Sequence, residues 1–162
     1  MDDDKYPIKG RMRFEVYEAC CDEGCTHTEG KMPKYVSPWY ENLVTTNGKN
    51  YFAQAGSASR PTAITGFLIG NGSTAAAVGD TNLSGASKYR QAFDSATASG
   101  AVTTYVTTVA AGNATFTNNE FGITNATTTA LSDGVLITHL IAGPYTKGAS
   151  DVIAYTYQLT HN

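Results

Sequence analysis

Charged residues are scarce in this 162-residue chain, making up 15% of it against roughly 25% in ordinary soluble domains. Cations thin out along the chain, and Lys147 is the one Lys or Arg after Arg90. A net charge of −3 supplies no long-range attraction to phosphate, which argues against nucleic acid as a partner. No stretch approaches the roughly 18 consecutive apolar residues of a membrane helix. The opening Met1-Asp2-Asp3-Asp4-Lys5 also lacks the basic and then apolar pattern of a secretion signal. The expectation is a product made and kept in the cytoplasm, or released by lysis, with no membrane partner.

Cysteine is confined to one place. Cys20, Cys21 and Cys25 form an odd, clustered set, which is not a disulfide framework. Cys20 or Cys21 with Cys25 and His27 would offer zinc three soft ligands, but a fourth is missing nearby. The alternative is a strand end, a turn at Asp22-Glu23-Gly24 and thiols without a metal. No cofactor is assigned.

Catalytic signatures are missing too. Gly70-Asn71-Gly72-Ser73-Thr74 lacks the Lys of a phosphate-binding loop, and no Gly-x-Ser-x-Gly elbow occurs. The acids after residue 60 are Asp80, Asp94, Glu120, Asp133 and Asp151. Each stands by a turn or strand end and reads as an isolated turn acid, not as half of a glycosidase pair. His139, inside an apolar strand, reads as a hydrogen-bonded packing or interface residue and not as a general base. A non-enzyme is expected.

What the chain has instead is Thr, Ser, Asn, Gly, Ala and ten Tyr. Residues 11–19 alternate, with Met12, Phe14 and Val16 on one face, as in a half-buried strand. Further strands are expected at 64–69, 88–93, 101–110, 114–116, 121–124, 135–142 and 151–160, separated by Gly100, Gly112-Asn113, Asp133-Gly134, Gly143-Pro144 and Lys147-Gly148. Such short connections exclude crossover helices, so the strands are antiparallel. Ser37-Pro38 reads as a helix start, and residues 46–54 read as a short helix stopped at Gly56. The expected fold is mainly β, an antiparallel β-sandwich or jelly-roll-like barrel with one or two short helices. Residues 1–36 are read as an extended N-terminal arm with a strand and the Cys-containing loop, and residues 37–162 as the sandwich.

Large side chains dominate contact energy, and Tyr combines apolar area with a polar tip. Tyr6, Ile8, Met12, Phe14, Tyr35, Trp39 and Tyr40 are therefore the candidate interface residues of the arm. The last strand is apolar on both faces, so it is either central or covered by another subunit. Tyr155 and Tyr157 join the interface set on the second branch.

One segment carries a resemblance. Ile69-Gly70-Asn71-Gly72-Ser73-Thr74 runs through small residues into Asp80-Thr81-Asn82-Leu83, and Asn42-Leu43-Val44-Thr45-Thr46-Asn47-Gly48 precedes it. The pattern resembles one found in structural proteins of tailed bacteriophages, over roughly residues 42–160. Its loop residues are Gly70, Gly72, Asp80, Thr81 and Leu83: the glycines permit positive φ at a sharp turn, Asp80 or Thr81 caps a turn, and Leu83 pins the loop. Ser84-Gly85-Ala86 departs from the charged residue many members carry there.

The resemblance implies a virion subunit assembled in the host cytoplasm. The first expectation is a head decoration or cement protein on the major capsid protein or other virion proteins, as a homo-oligomer, with a trimer as one form. A tail or neck component such as a collar, tube-associated or fibre-attachment protein is the alternative. A carbohydrate-binding adsorption module, with Trp39 and Tyr stacking on sugars, is a third.

Overall fold

The alternating N-terminal run forms β1 (Ile8–Glu18), which buries Met12, Phe14 and Val16 and turns Arg11, Arg13 and Glu15 outward. The computed structural model describes residues 8–20, 26, 28–126 and 133–161. After β1 come three two-residue strands, β2 (Tyr35–Val36), β3 (Tyr40–Glu41) and β4 (Leu43–Val44), then helix α1 (Thr46–Ala55). The strands β5 (Gly66–Gly70), β6 (Lys88–Ala92), β7 (Ser95–Ser99), β8 (Val102–Val109), β9 (Thr117–Thr124), β10 (Leu136–Thr146) and β11 (Asp151–His161) complete the chain.

Every pairing is antiparallel, and the strands make a β-sandwich. One sheet has the order β2-β1-β11-β8-β7, with β3 also on β1, and the other has the order β4-β10-β9-β5-β6. Their inner faces share one core containing Phe14, Phe67, Phe121, Tyr155 and Tyr157. Ring centroids lie 4.8 Å apart for Phe67 and Tyr155 and 5.9 Å apart for Phe67 and Phe121. Such ring pairs contribute about 0.5–1.5 kcal/mol beyond the area they bury.

The two-sided last strand is explained by position: β11 lies between β1 and β8. Its outward Val152 is covered by Tyr17 and Ala111. β1 was expected in an N-terminal arm, but it pairs with β11 along its whole length and belongs to the sandwich.

The helix expected at Ser37-Pro38 does not form. Ser37 Oγ accepts from Phe14 N–H at 2.8 Å, and Ser37 N–H donates to Phe14 O at 2.9 Å. The side chain that would cap a helix is thus spent on β1. The helix expected at 46–54 is present as Thr46–Ala55, with Thr45 as its cap. Thr45 Oγ1 accepts from Gly48 N–H at 3.0 Å while donating to Leu136 O at 2.5 Å. Residues 114–116 are a turn and not a strand, with Ala114 at φ 49°. Gly143-Pro144, expected as a linker, lies inside β10 at a break of register between Ile141 and Tyr145, a bulge where a missing N–H is tolerated.

Candidate functional site

The segment that carries the resemblance lies on the outer face of the second sheet. Phe121 and Ile123 of β9 face the core, so strand alternation turns Glu120, Gly122 and Thr124 the other way. The loop from residue 71 to residue 87 crosses that face. Leu83, 3% exposed, packs there with Leu68 and Leu136 in a small cluster separate from the main core.

Beside this cluster three titratable groups converge. His139 Nδ1 lies 2.6 Å from Asp80 Oδ2, and His139 Nε2 lies 3.0 Å from Glu120 Oε1. Glu120 is fully buried and also accepts from Ser84 N–H and Ser84 Oγ at 2.6 and 2.8 Å and from Gly85 N–H at 2.9 Å. Burial pushes the Glu120 carboxyl up, but the Ser84 and Gly85 donors and the neighbouring His139 together hold it below the ordinary glutamate range. The Ala77 N–H, 2.7 Å away, and then His139 likewise hold Asp80 low against burial. A neutral imidazole has one N–H and can donate to one of these carboxylates; the imidazolium donates to both.

His139 is 2% exposed and Glu120 fully buried, while Asp80 keeps 28% of its side chain exposed, so the imidazole itself is shielded and both of its nitrogens are taken up by the two carboxylates. The arrangement is a clamp. It ties the loop, through Asp80, Ser84 and Gly85, to β9 and β10.

The clamp also gives the motif glycines a different role from the one expected. Neither Gly70 nor Gly72 has positive φ. A Cβ on Gly70 would come within 2.7 Å of Glu120 Oε2, and one on Gly72 within 2.2 Å of Ser84 Oγ and 2.3 Å of Glu120 Oε2. They are glycine because the carboxylate needs the space. Asp80 holds its own turn at Ala77 as well as His139, whereas Thr81 is exposed. In the upstream element, Asn42 Nδ2 donates to the buried Tyr157 hydroxyl, Thr45 caps α1, and Gly48 fits against the Ile137 carbonyl. Both halves of the pattern are joints between loop or helix and β10.

A second buried polar group holds the turn between β10 and β11. Asp151 accepts from Lys34 Nζ, from Tyr145 OH at 3.0 Å and from Gly148 N–H at 2.9 Å. Burial raises its carboxyl, and these donors, Lys34 first, bring it below the usual range. Lys147, 2% exposed, donates to Ala110 O at 2.9 Å. Burial depresses its ammonium to about 8, opposed by Asp151.

The interface candidates divide. Met12, Phe14, Tyr155 and Tyr157 are all at most 2% exposed, so they are core residues and not interface residues. Ile8 is half-buried against the same core. Tyr6 lies outside the described residues, as do Cys21, Cys25 and His27 of the zinc reading, while Cys20 is exposed. Tyr35 is exposed, whereas Trp39 and Tyr40 are half-buried, Tyr40 against the same core. Tyr35 stacks on Tyr145 with centroids 5.7 Å apart and 18° between the planes, and with Val36 and Met32 it makes an exposed apolar rim along β2. Half-buried Trp39 has the guanidinium carbons of Arg11 and Arg13 over its ring at 4.3 and 5.1 Å, and ring area under a guanidinium is not available to a sugar.

Sequence reasoning missed the convergence on Glu120 by treating it as a turn acid. The available signal was parity. Glu120 is out of phase with Phe121 and Ile123, on the face shared by Gly70 and His139. Comparison with protein-family models, with curated proteins and with solved structures finds no match to this chain.

Proposed function

We propose that this chain is a non-enzymatic structural subunit of a tailed-bacteriophage particle, a head decoration protein that holds to the major capsid protein. The observation that carries the reading is where the reactive side chains are spent. His139, Glu120, Asp80 and Asp151 are each engaged in fastening a loop or turn of the sandwich. Two outward-facing features suit adhesion: the Tyr35–Val36 rim, with Met32 91% exposed beside it, and the uncharged edge strand β7. Such a protein works by burying area, and a modest contact repeated over many copies reinforces a shell. The resemblance of roughly residues 42–160 to structural proteins of tailed phages supplies the class of particle.

The test is quantitative mass spectrometry of purified particles from the phage that encodes the chain. A decoration protein is present on the order of hundreds of copies per particle; roughly a dozen or fewer indicates the symmetric ring of a tail or neck component. Absence from particles overturns the virion reading altogether.

A further inference from the structure

The four outer edges of the two sheets differ in how they are closed. Edge strand β6 carries Lys88 and Arg90, and charge is a common protection against edge-to-edge pairing. β2, β3 and β4 are each two residues long. β7 has neither protection: it is five residues, Ser95-Ala96-Thr97-Ala98-Ser99, without charge, proline or bulge, and all five are exposed. Among the described residues the one strand it contacts extensively is β8, and no described strand pairs with its far edge. A two-residue turn at Gly100-Ala101, with Gly100 at φ 58°, holds it to β8, as a primed hairpin turn requires.

The sequence of β7 reads the same in both directions. We infer that β7 pairs antiparallel with β7 of a second copy about a twofold axis through Thr97. In that register Ser95 faces Ser99, Ala96 faces Ala98 and Thr97 faces Thr97. The flanking Asp94 falls opposite Gly100, so no acid meets an acid. Asp94 is in any case turned to its own hairpin, where its carboxylate accepts from Thr108 N–H at 2.7 Å. A twofold contact uses the same patch on both partners, and a palindromic strand is self-complementary in that sense. The two five-strand orders join into one continuous antiparallel sheet. A five-residue edge buries less than the roughly 1,200 Å² of a lasting complex. The pairing is therefore weak between free molecules and strengthens where copies are held close together. It does not depend on which particle, or whether any particle, carries the chain.

Sedimentation equilibrium of the full chain under reducing conditions, up to about 1 mM, tests the pairing with Thr97→Lys, Thr97→Glu and their equimolar mixture. Thr97 is exposed, so both variants keep the wild-type circular dichroism and melting. The wild type self-associates, each variant alone does so at least about tenfold more weakly, and the mixture recovers the loss, since only this register places the two substituted positions opposite each other. A wild type that stays monomeric, a dimer indifferent to Thr97→Lys, or a mixture no tighter than its components overturns the inference.

Discussion

At the scale of single residues, the fold depends on a few ionised groups placed where charge is costly. Glu120 has no solvent contact, and three donors from Ser84 and Gly85, together with the His139 ring, face its two oxygens. Glu120→Gln keeps the shape but removes the charge and sets an NH₂ group against an N–H. The expected loss is about 2 kcal/mol, read as a Tm lower by roughly 4–8 °C. Asp80, Glu120 and Asp151 all have carboxyls held below their ordinary range. Their stabilisation is complete above about pH 4, the unfolded value, and disappears as pH falls through the lower folded values. Acid titration of unfolding free energy checks this, and the acid limb is shallower in Glu120→Gln. Lys147 has the opposite sign. Its ammonium is depressed to about 8 in the fold against about 10.4 in the unfolded chain, so between those values the unfolded state binds the extra proton. Stability rises from pH 8 toward about pH 10, above which the buried tyrosines, with hydroxyls pushed up by burial, reverse the trend. In Lys147→Met the rise is lost, and urea titration across that range measures it.

At the scale of elements, two joints decide how the loop and helix attach. Alanine in place of a helical glycine ordinarily gains up to about 1 kcal/mol, but a Cβ on Gly48, in the first turn of α1, would stand 2.0 Å from the Ile137 carbonyl oxygen. The clash costs at least 1–3 kcal/mol, so Gly48→Ala lowers the melting temperature. A rise would show that α1 can lift from β10 freely. Leu83→Ala empties one third of a three-leucine cluster, and about 2 kcal/mol is expected, with faster amide exchange at Ser84 and Gly85 as the clamp loosens. These elements were unevenly legible in the sequence. Strands with alternating or continuous apolar residues, such as β1, β5 and β11, declare themselves through burial. β7 does not, because Ser and Ala have no strand signature and the hairpin, not the core, forms it. The false helix at Ser37 arose because a Ser-Pro pair suits a helix start and equally suits a bridge to Phe14. Glycine pairs were legible as important, but the reason, room for a carboxylate, required the partner strand to be known.

At the scale of the whole molecule, the first sheet has two unlike edges, the apolar rim at β2 and the bare strand β7 at the opposite end of the order. Residues 8–18 are no detachable arm, since they pair with β11 as part of the sandwich. Removing residues 1–19 takes away β1 with Met12, Phe14 and Val16, all at most 2% exposed, so that product is expected not to fold and is useless as an attachment test. A charge on the rim is the sharper probe. Val36 is 47% exposed on a two-residue strand, and a surface substitution there changes stability by about 0.5 kcal/mol or less. On the decoration reading, Val36→Glu leaves the melting temperature unchanged and lowers the amount of chain retained on particles at least about tenfold, because an unpaired carboxylate must be desolvated in the contact. Thr97→Lys keeps first attachment and weakens only the cooperative part, since the two edges belong to different contacts. Binding isotherms of both variants on particles lacking the chain separate these outcomes. Equal retention of Val36→Glu and wild type would remove the rim from the attachment surface.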